Sequence, residues 1–316
     1  MNSYDKYIDE EELIISDPVF LFIRNKIKLS KKNKYDGLEI KFNKHLIDVY
    51  KMNDIIKIEE KVKQFLTIMS KNCKNFDPHI FLYNFKKTYF SIDKANYLVT
   101  SRIGGCVTLG TYANFFKLNY YSAVYHEFLH LASGKYPKHQ FKPFDEGYTQ
   151  YLEEKYFNTN NYIGVCYPFE TKIMEIVELI FGEEELEKLY FAGNFDNLFK
   201  MINEYISDYN LVSLHNNLQS IYNLEHSHEF LNKKDMMQQH LNKVFEILLV
   251  CYLNKNYLIM GDNIFENMDL FKEKILSNIE LMDQDGNKLI YNKIKENKFS
   301  EIIEGFKNKK IINRKD

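Results

Sequence analysis

From Ser122 onward the sequence changes period. Upstream, "HIFLYNF" (79–85), "NYLVTSRI" (96–103) and "CVTLGTY" (106–112) are short runs rich in β-branched and aromatic residues, bounded by Asp, Asn and Gly. They are expected as strands of one small sheet. Downstream, "PFETKIMEIVELIF", "EEELEKLYFAG", "FDNLFKMINEYI" and "MMQQHLNKVFEILLVCYL" place apolar residues at helical spacing, each stripe demanding a partner face. Ahead of the strands, the stretch from Asp54 to Cys73 carries the same stripe at Ile56, Val62, Phe65, Leu66 and Met69. Helix and small sheet first, helices afterwards, is the element order of an α+β protein with a mostly helical C-terminal half.

With 316 residues, 45% of them hydrophobic, the chain can fill a sizeable core. No Gly/Ser-rich or Pro-rich linker interrupts it, so sublobes are expected: residues 1–90 with the first helix and strands, 91–205 as a central core, and 206–316 as a helical region. The net charge of -2 supplies no positive field for nucleic acid or an anionic membrane. The first residues are acidic where a signal peptide is basic then apolar, and no uninterrupted apolar run approaches the length of a membrane span. A soluble, cytoplasmic protein is expected; nothing in the sequence sets its oligomeric state. Cys73, Cys106, Cys166 and Cys251 lack paired spacing and read as reduced, buried thiols. The basic tail "KNKKIINRKD" reads as a solvated terminus.

One stretch carries chemistry. In "YYSAVYHEFLH" (120–130), His126 and His130 stand four apart with Glu127 after the first. On a helix, residues four apart share a face, so both imidazoles can point at one ion. Glu127 lies ~100° further round, off the ligand axis but within reach of a water there. Two neutral imidazoles to bind and one carboxylate to act as base is the division of labour of a zinc hydrolase. Val124, Phe128 and Leu131 form an apolar stripe on the opposite side, and Gly134 and Pro137 mark the stop. A catalytic zinc needs a third protein ligand.

Glu146 follows His130 by sixteen residues, in "PFDEGYTQYLEEKYF". Pro143 and Asp145 suit a helix start there, with Glu146 in its first turn. This stretch resembles the zinc-ligand helix of the gluzincin peptidases, the thermolysin-like enzymes and zinc aminopeptidases, and its Glu146, Gly147, Tyr148, Thr149 and Tyr151 are similar to the aminopeptidase-like form. The likeness covers residues 104 to 156. It implies a zincin-like core, one Zn2+ per chain held by His126, His130 and Glu146, and Glu127 as general base. The Gly-x-Met-Glu-Asn motif that captures a free amino group is absent; "RIGGCVTLGTY" stands upstream instead. A strand from Cys106 to Thr111 could pair with an extended peptide.

Among the nearby acids Asp145, Glu153 and Glu154, spacing favours Glu146. Glu146 and Glu153 are two turns, about 10 Å, apart and cannot share one ion, while Asp145 suits an N-cap. The missing side chain of Gly147 is expected to bring this helix close to the first. Loss of Glu153 is therefore expected to spare metal and activity. A partner for the tetrahedral oxyanion must come from elsewhere, with Tyr167, His139 and Tyr148 as candidates.

Rival motifs fail on their own chemistry. Gly105 and Gly110 have phosphate-loop spacing, but Thr111 and Tyr112 stand where Lys and Ser/Thr are needed. "HSHEF" (226–230) reads as surface histidines near a helix start, and "DQDGN" (283–287) as a turn without the Gly and Glu of a calcium loop. The expectation is a zinc metallopeptidase acting on peptide or protein substrates, with no nucleic-acid or membrane partner. The alternatives are a zinc-binding interaction domain without turnover and a toxin or effector protease.

Overall fold

The structure is a computed structural model of the chain that describes residues 52–86, 88–92, 105–108, 114–118, 124–134, 141–157, 167–227, 233–282 and 288–309. The first element, α1 (Met52–Asn72), runs where the stripe placed it and buries Val62, Phe65, Leu66 and Met69. The next corrects the sequence reading, because "HIFLYNF" is not a strand. It belongs to α2 (Pro78–Lys86). Asp77 accepts from the His79 backbone N–H at 2.8 Å through its side chain, and Pro78 occupies the first helical position, where a missing N–H costs nothing. Asp-Pro thus starts a helix here, and Phe81, Leu82 and Phe85 go into the core at helical spacing.

A three-stranded sheet follows, formed by β1 (Thr88–Ile92), β2 (Gly105–Thr108) and β3 (Asn114–Leu118) in the order β1-β3-β2. β1 is parallel to β3, with Thr88 opposite Asn114, and β2 is antiparallel to it, with Gly105 opposite Leu118. β2 begins "CVTLGTY" one residue early; residues 109–112 and "NYLVTSRI" lie outside the described residues. Among the described residues β2 is an edge strand, and it packs on α3 (Val124–Ala132).

The helical half contains α4 (Lys142–Phe157), α5 (Pro168–Phe181), α6 (Glu183–Phe191), α7 (Asn197–Asn203), α8 (Asp208–Glu225) and α9 (Lys234–Met260), then α10 (Asp269–Leu276) and α11 (Glu296–Lys309). An unforeseen hairpin, β4 (Asn278–Met282) antiparallel to β5 (Lys288–Asn292), interrupts it. The turn expected at 283–287 lies outside the described residues. The architecture is mostly helical with small sheets, as an α+β reading requires.

Contacts gather the described residues into two compact units. One takes those within Met1–His139, Leu152–Cys166 and Glu187–Asn194; the other those within Gln140–Tyr151, Tyr167–Leu186 and Phe195–Asp316. The first has an aromatic core, with Phe65 5.6 Å from Phe76, 5.0 Å from Phe81 and 5.5 Å from Phe128 between ring centroids. The second is built on α9, which buries Met237, Leu241, Val244, Phe245, Leu248 and Leu249 against α5, α8 and α11. The helical segment Lys234–Glu266 is long and apolar enough to cross a bilayer by length and composition, though without an uninterrupted apolar run of that length. More than half of its apolar window is buried within the protein, where it serves as the core helix.

Candidate metal centre

α3 is held from its apolar side. Val124, Phe128 and Leu131 are fully buried, and the Phe128 ring sits 5.5 Å from Phe81. At its C-terminus, Asn84 donates from Nδ2 to the carbonyls of Leu131, at 2.8 Å, and Gly134, so α2 satisfies groups that a helix end leaves open. Gly134 has φ 143°, and a Cβ there would lie 2.9 Å from the Gly193 Cα, so only glycine makes this exit. At the other end, the Tyr125 hydroxyl donates to Gln64 and accepts from Lys61 at 3.2 Å. On the helix so fixed, the rings of His126 and His130 lie one turn apart, with centroids at 4.9 Å and planes at 74°.

α4 starts at Lys142, earlier than expected. Asp145 lies inside its first turn rather than at the N-cap, and Glu146 comes just beyond that turn. The Phe141 carbonyl accepts from the Phe144 and Asp145 amides, and the Phe141 N–H donates to Asp196 Oδ1 at 3.0 Å. The close approach expected of Gly147 is real but is made to α5: a Cβ there would lie 2.6 Å from Glu170 Cβ and 2.8 Å from its carbonyl carbon. The hydroxyls of Tyr148 and Tyr151 donate to Glu178 of the same helix at 3.4 and 2.7 Å. Burial, reinforced by the Glu178 charge, pushes the Tyr151 phenol well above its ordinary range and keeps it a donor. The Glu-Gly-Tyr-x-x-Tyr pattern therefore fastens the Glu146 helix to α5.

The last turns of α4 meet α3. The Phe157 ring stacks on Tyr125, with centroids at 4.2 Å and planes at 12°, and on Phe65 at 5.7 Å and 9°. Glu153 Oε2 lies 3.6 Å from His126 Nδ1, with both side chains buried. One ligand atom from each of His126, His130 and Glu146 lies within 4.8 Å of the others. Tetrahedral zinc with bonds near 2.0–2.1 Å places its ligand atoms about 3.3 Å apart, inside the 4.8 Å limit of this group. His126 and Glu146 are buried and His130 half-buried. Glu127, outside this trio, is 4% exposed. The donor set fits a divalent ion such as zinc.

Glu146 Oε1 accepts from Lys142 Nζ at 3.0 Å, one turn away. Lys142 is the more exposed partner, and the carboxylate raises its ammonium pKa although burial opposes the shift. Of the oxyanion candidates, Tyr148 is fully buried, stacked on Phe195 at 5.1 Å. His139 lies outside the described residues. Tyr167 has φ 64°, the one non-glycine residue with positive φ among the described residues, which marks a strained backbone. Its ring stacks on Tyr222, with centroids at 6.0 Å and planes at 4°, and lies 5.3 Å from His226.

Tyr222 is a residue the sequence reading missed. Burial and then the Glu146 carboxylate raise its phenol, which places it in the field of the candidate ligand. Nothing in "SIYNLE" distinguishes it from the other 23 of 24 tyrosines. Glu170, wholly buried beside Gly147, was missed as well; burial is the main cause of its raised carboxyl pKa. Compared with known protein families, curated proteins and solved structures, the chain matches none.

The rival motifs take ordinary places. Gly105 opens strand β2, and His226 is an exposed residue at the C-terminal rather than the N-terminal end of a helix, its Nδ1 2.7 Å from the Tyr222 carbonyl. Cys73 and Cys251 are buried free thiols, both with raised pKa values caused first by burial.

Proposed function

We propose that the chain is a zinc-dependent peptidase, a reading carried by one observation: His126, His130 and Glu146 bring three donor atoms within 4.8 Å. A zinc ion held by these residues would supply a Lewis acid that polarises a carbonyl and lowers the pKa of water. Glu127, next to the first ligand and off the ligand axis, takes the proton of the attacking water and passes it to the departing amine. Its burial strengthens that exchange by keeping competing solvent away. Tyr222, whose phenol pKa is raised by burial and then by the Glu146 charge, is assigned the donor to the oxygen on which charge develops. An extended peptide suits the site because β2, packed on α3, offers a sheet edge for backbone hydrogen bonds.

The test joins elemental analysis to cleavage of a peptide library by the wild type, Glu127→Gln and the His126→Ala/His130→Ala double variant. One zinc per chain is expected in the first two and none in the third. Removing the general base should slow cleavage about 10²–10⁴-fold. Full zinc occupancy in the double variant, or wild-type turnover by Glu127→Gln, would overturn the assignment.

A further inference from the structure

Glu146 and Glu153 are seven residues apart on α4, which returns both to the same helix face about 10 Å apart. That separation forbids them one ion, but it does not leave Glu153 idle. Glu153 instead meets one of the candidate ligands. His126 offers one nitrogen to the group completed by Glu146 and His130, and its Nδ1 stands 3.6 Å from Glu153 Oε2. The two side chains are only 9% and 5% exposed, so bulk water does not compete for this pairing. At 3.6 Å the contact is an ion-pair distance slightly longer than a hydrogen bond. The stacking of Phe157 on Tyr125 and Phe65 fixes α4 and α3 on either side of the pair.

We propose that Glu153 is the positioning residue of the metal centre: its carboxylate accepts from His126 Nδ1–H, fixes that tautomer and ring orientation, and leaves Nε2 as the metal-binding atom. A neutral imidazole has one donor and one acceptor nitrogen, so fixing the proton on Nδ1 makes Nε2 the acceptor. An anion behind the ring also raises its basicity, and losing such a partner costs about 10–100-fold in metal affinity. Sequence spacing alone implied that Glu153 is dispensable; its 3.6 Å approach to His126 Nδ1 argues against that expectation.

The inference rests on the proposed zinc site, and the test separates the two. Zinc alone is titrated against a chelating dye into the wild type, Glu153→Gln, Glu153→Ala and His126→Ala, while nitrogen-detected histidine NMR of the metal-free proteins reads the His126 tautomer. The wild type should bind one zinc and carry its His126 proton on Nδ1. Glu153→Ala should still bind one zinc, about 10–100-fold more weakly, and lose the Nδ1–H preference. Glu153→Gln, of the same shape and still an acceptor, should recover part of both, which a purely structural defect would not allow. Wild-type affinity and an unchanged tautomer in Glu153→Ala would overturn the positioning role while leaving the zinc site standing. A wild type that binds no zinc would overturn both.

Discussion

Lys293 is 1% exposed, and its ammonium donates to the Lys274 carbonyl at 2.7 Å and Ser277 Oγ at 2.9 Å. Burial lowers its pKa from the ordinary 10.5 to about 8, because Glu175 supports the charge only in part and Lys172 and Lys274 oppose it. Between those two values the unfolded chain holds a proton that the folded chain has released, so this residue's contribution to stability rises with pH across that window. A shift of this size corresponds to about 3 kcal/mol at full burial. We expect the stability of the wild type relative to Lys293→Met to increase by up to that amount between pH 8 and 10.5. Urea unfolding of the two proteins at several pH values measures it, and parallel curves would refute it. In the sequence, "YNKIKEN" gives no sign that one of its lysines is buried, because burial of a single long side chain leaves no periodic trace. The grouping of His126, His130 and Glu146 was legible because metal binding demands fixed residue types at fixed spacing, a constraint that does not extend to the neighbours Glu153 and Tyr222.

The approach of α4 to α5 is set by Gly147, and here chemistry and packing meet in one element. A methyl group at 147 would stand 2.6–2.9 Å from Cβ, the carbonyl carbon and the carbonyl oxygen of Glu170. Backbone atoms cannot rotate away, so the helix itself must shift. Overpacking of this kind costs typically 1–3 kcal/mol, and the gain of about 1 kcal/mol in helix propensity offsets part of it. Gly147→Ala should therefore lose up to about 2 kcal/mol in urea unfolding and, by displacing Glu146, weaken zinc binding as well. Unchanged stability and affinity would show that α5 does not position the ligand. Elements with a long stripe, α1, α5 and α9, were legible because every turn repeats the same signal. "HIFLYNF" misled because seven residues suit either period, and Asp77–Pro78 can bound a strand as readily as it starts a helix. β4 and β5 escaped because five-residue strands show too few alternations to stand out in a helical context.

At the scale of the whole chain, the sequence announced an α+β order and a balance of charge but not the discontinuous grouping of segments, since which stretches pack together depends on contacts far apart in sequence. The candidate metal site offers a measurement at this scale. An ion that binds the folded chain and not the unfolded one stabilises by RT ln(1 + [L]/Kd), about 2.7 kcal/mol when free metal is a hundred times Kd. The stabilisation requires the ligands to be assembled, and His126, His130 and Glu146 come from two different helices, so an unfolded chain does not reproduce the set. Thermal unfolding of metal-stripped protein should therefore shift upward on adding zinc and return on adding a chelator. The shift should grow with the logarithm of free zinc beyond saturation, because each tenfold rise adds about 1.4 kcal/mol. His126→Ala should unfold at a temperature independent of zinc, whereas Glu127→Gln should follow the wild type, since Glu127 lies outside the ligand set. Equal zinc shifts in the wild type and His126→Ala would place the ion elsewhere and remove the basis for hydrolysis at this site.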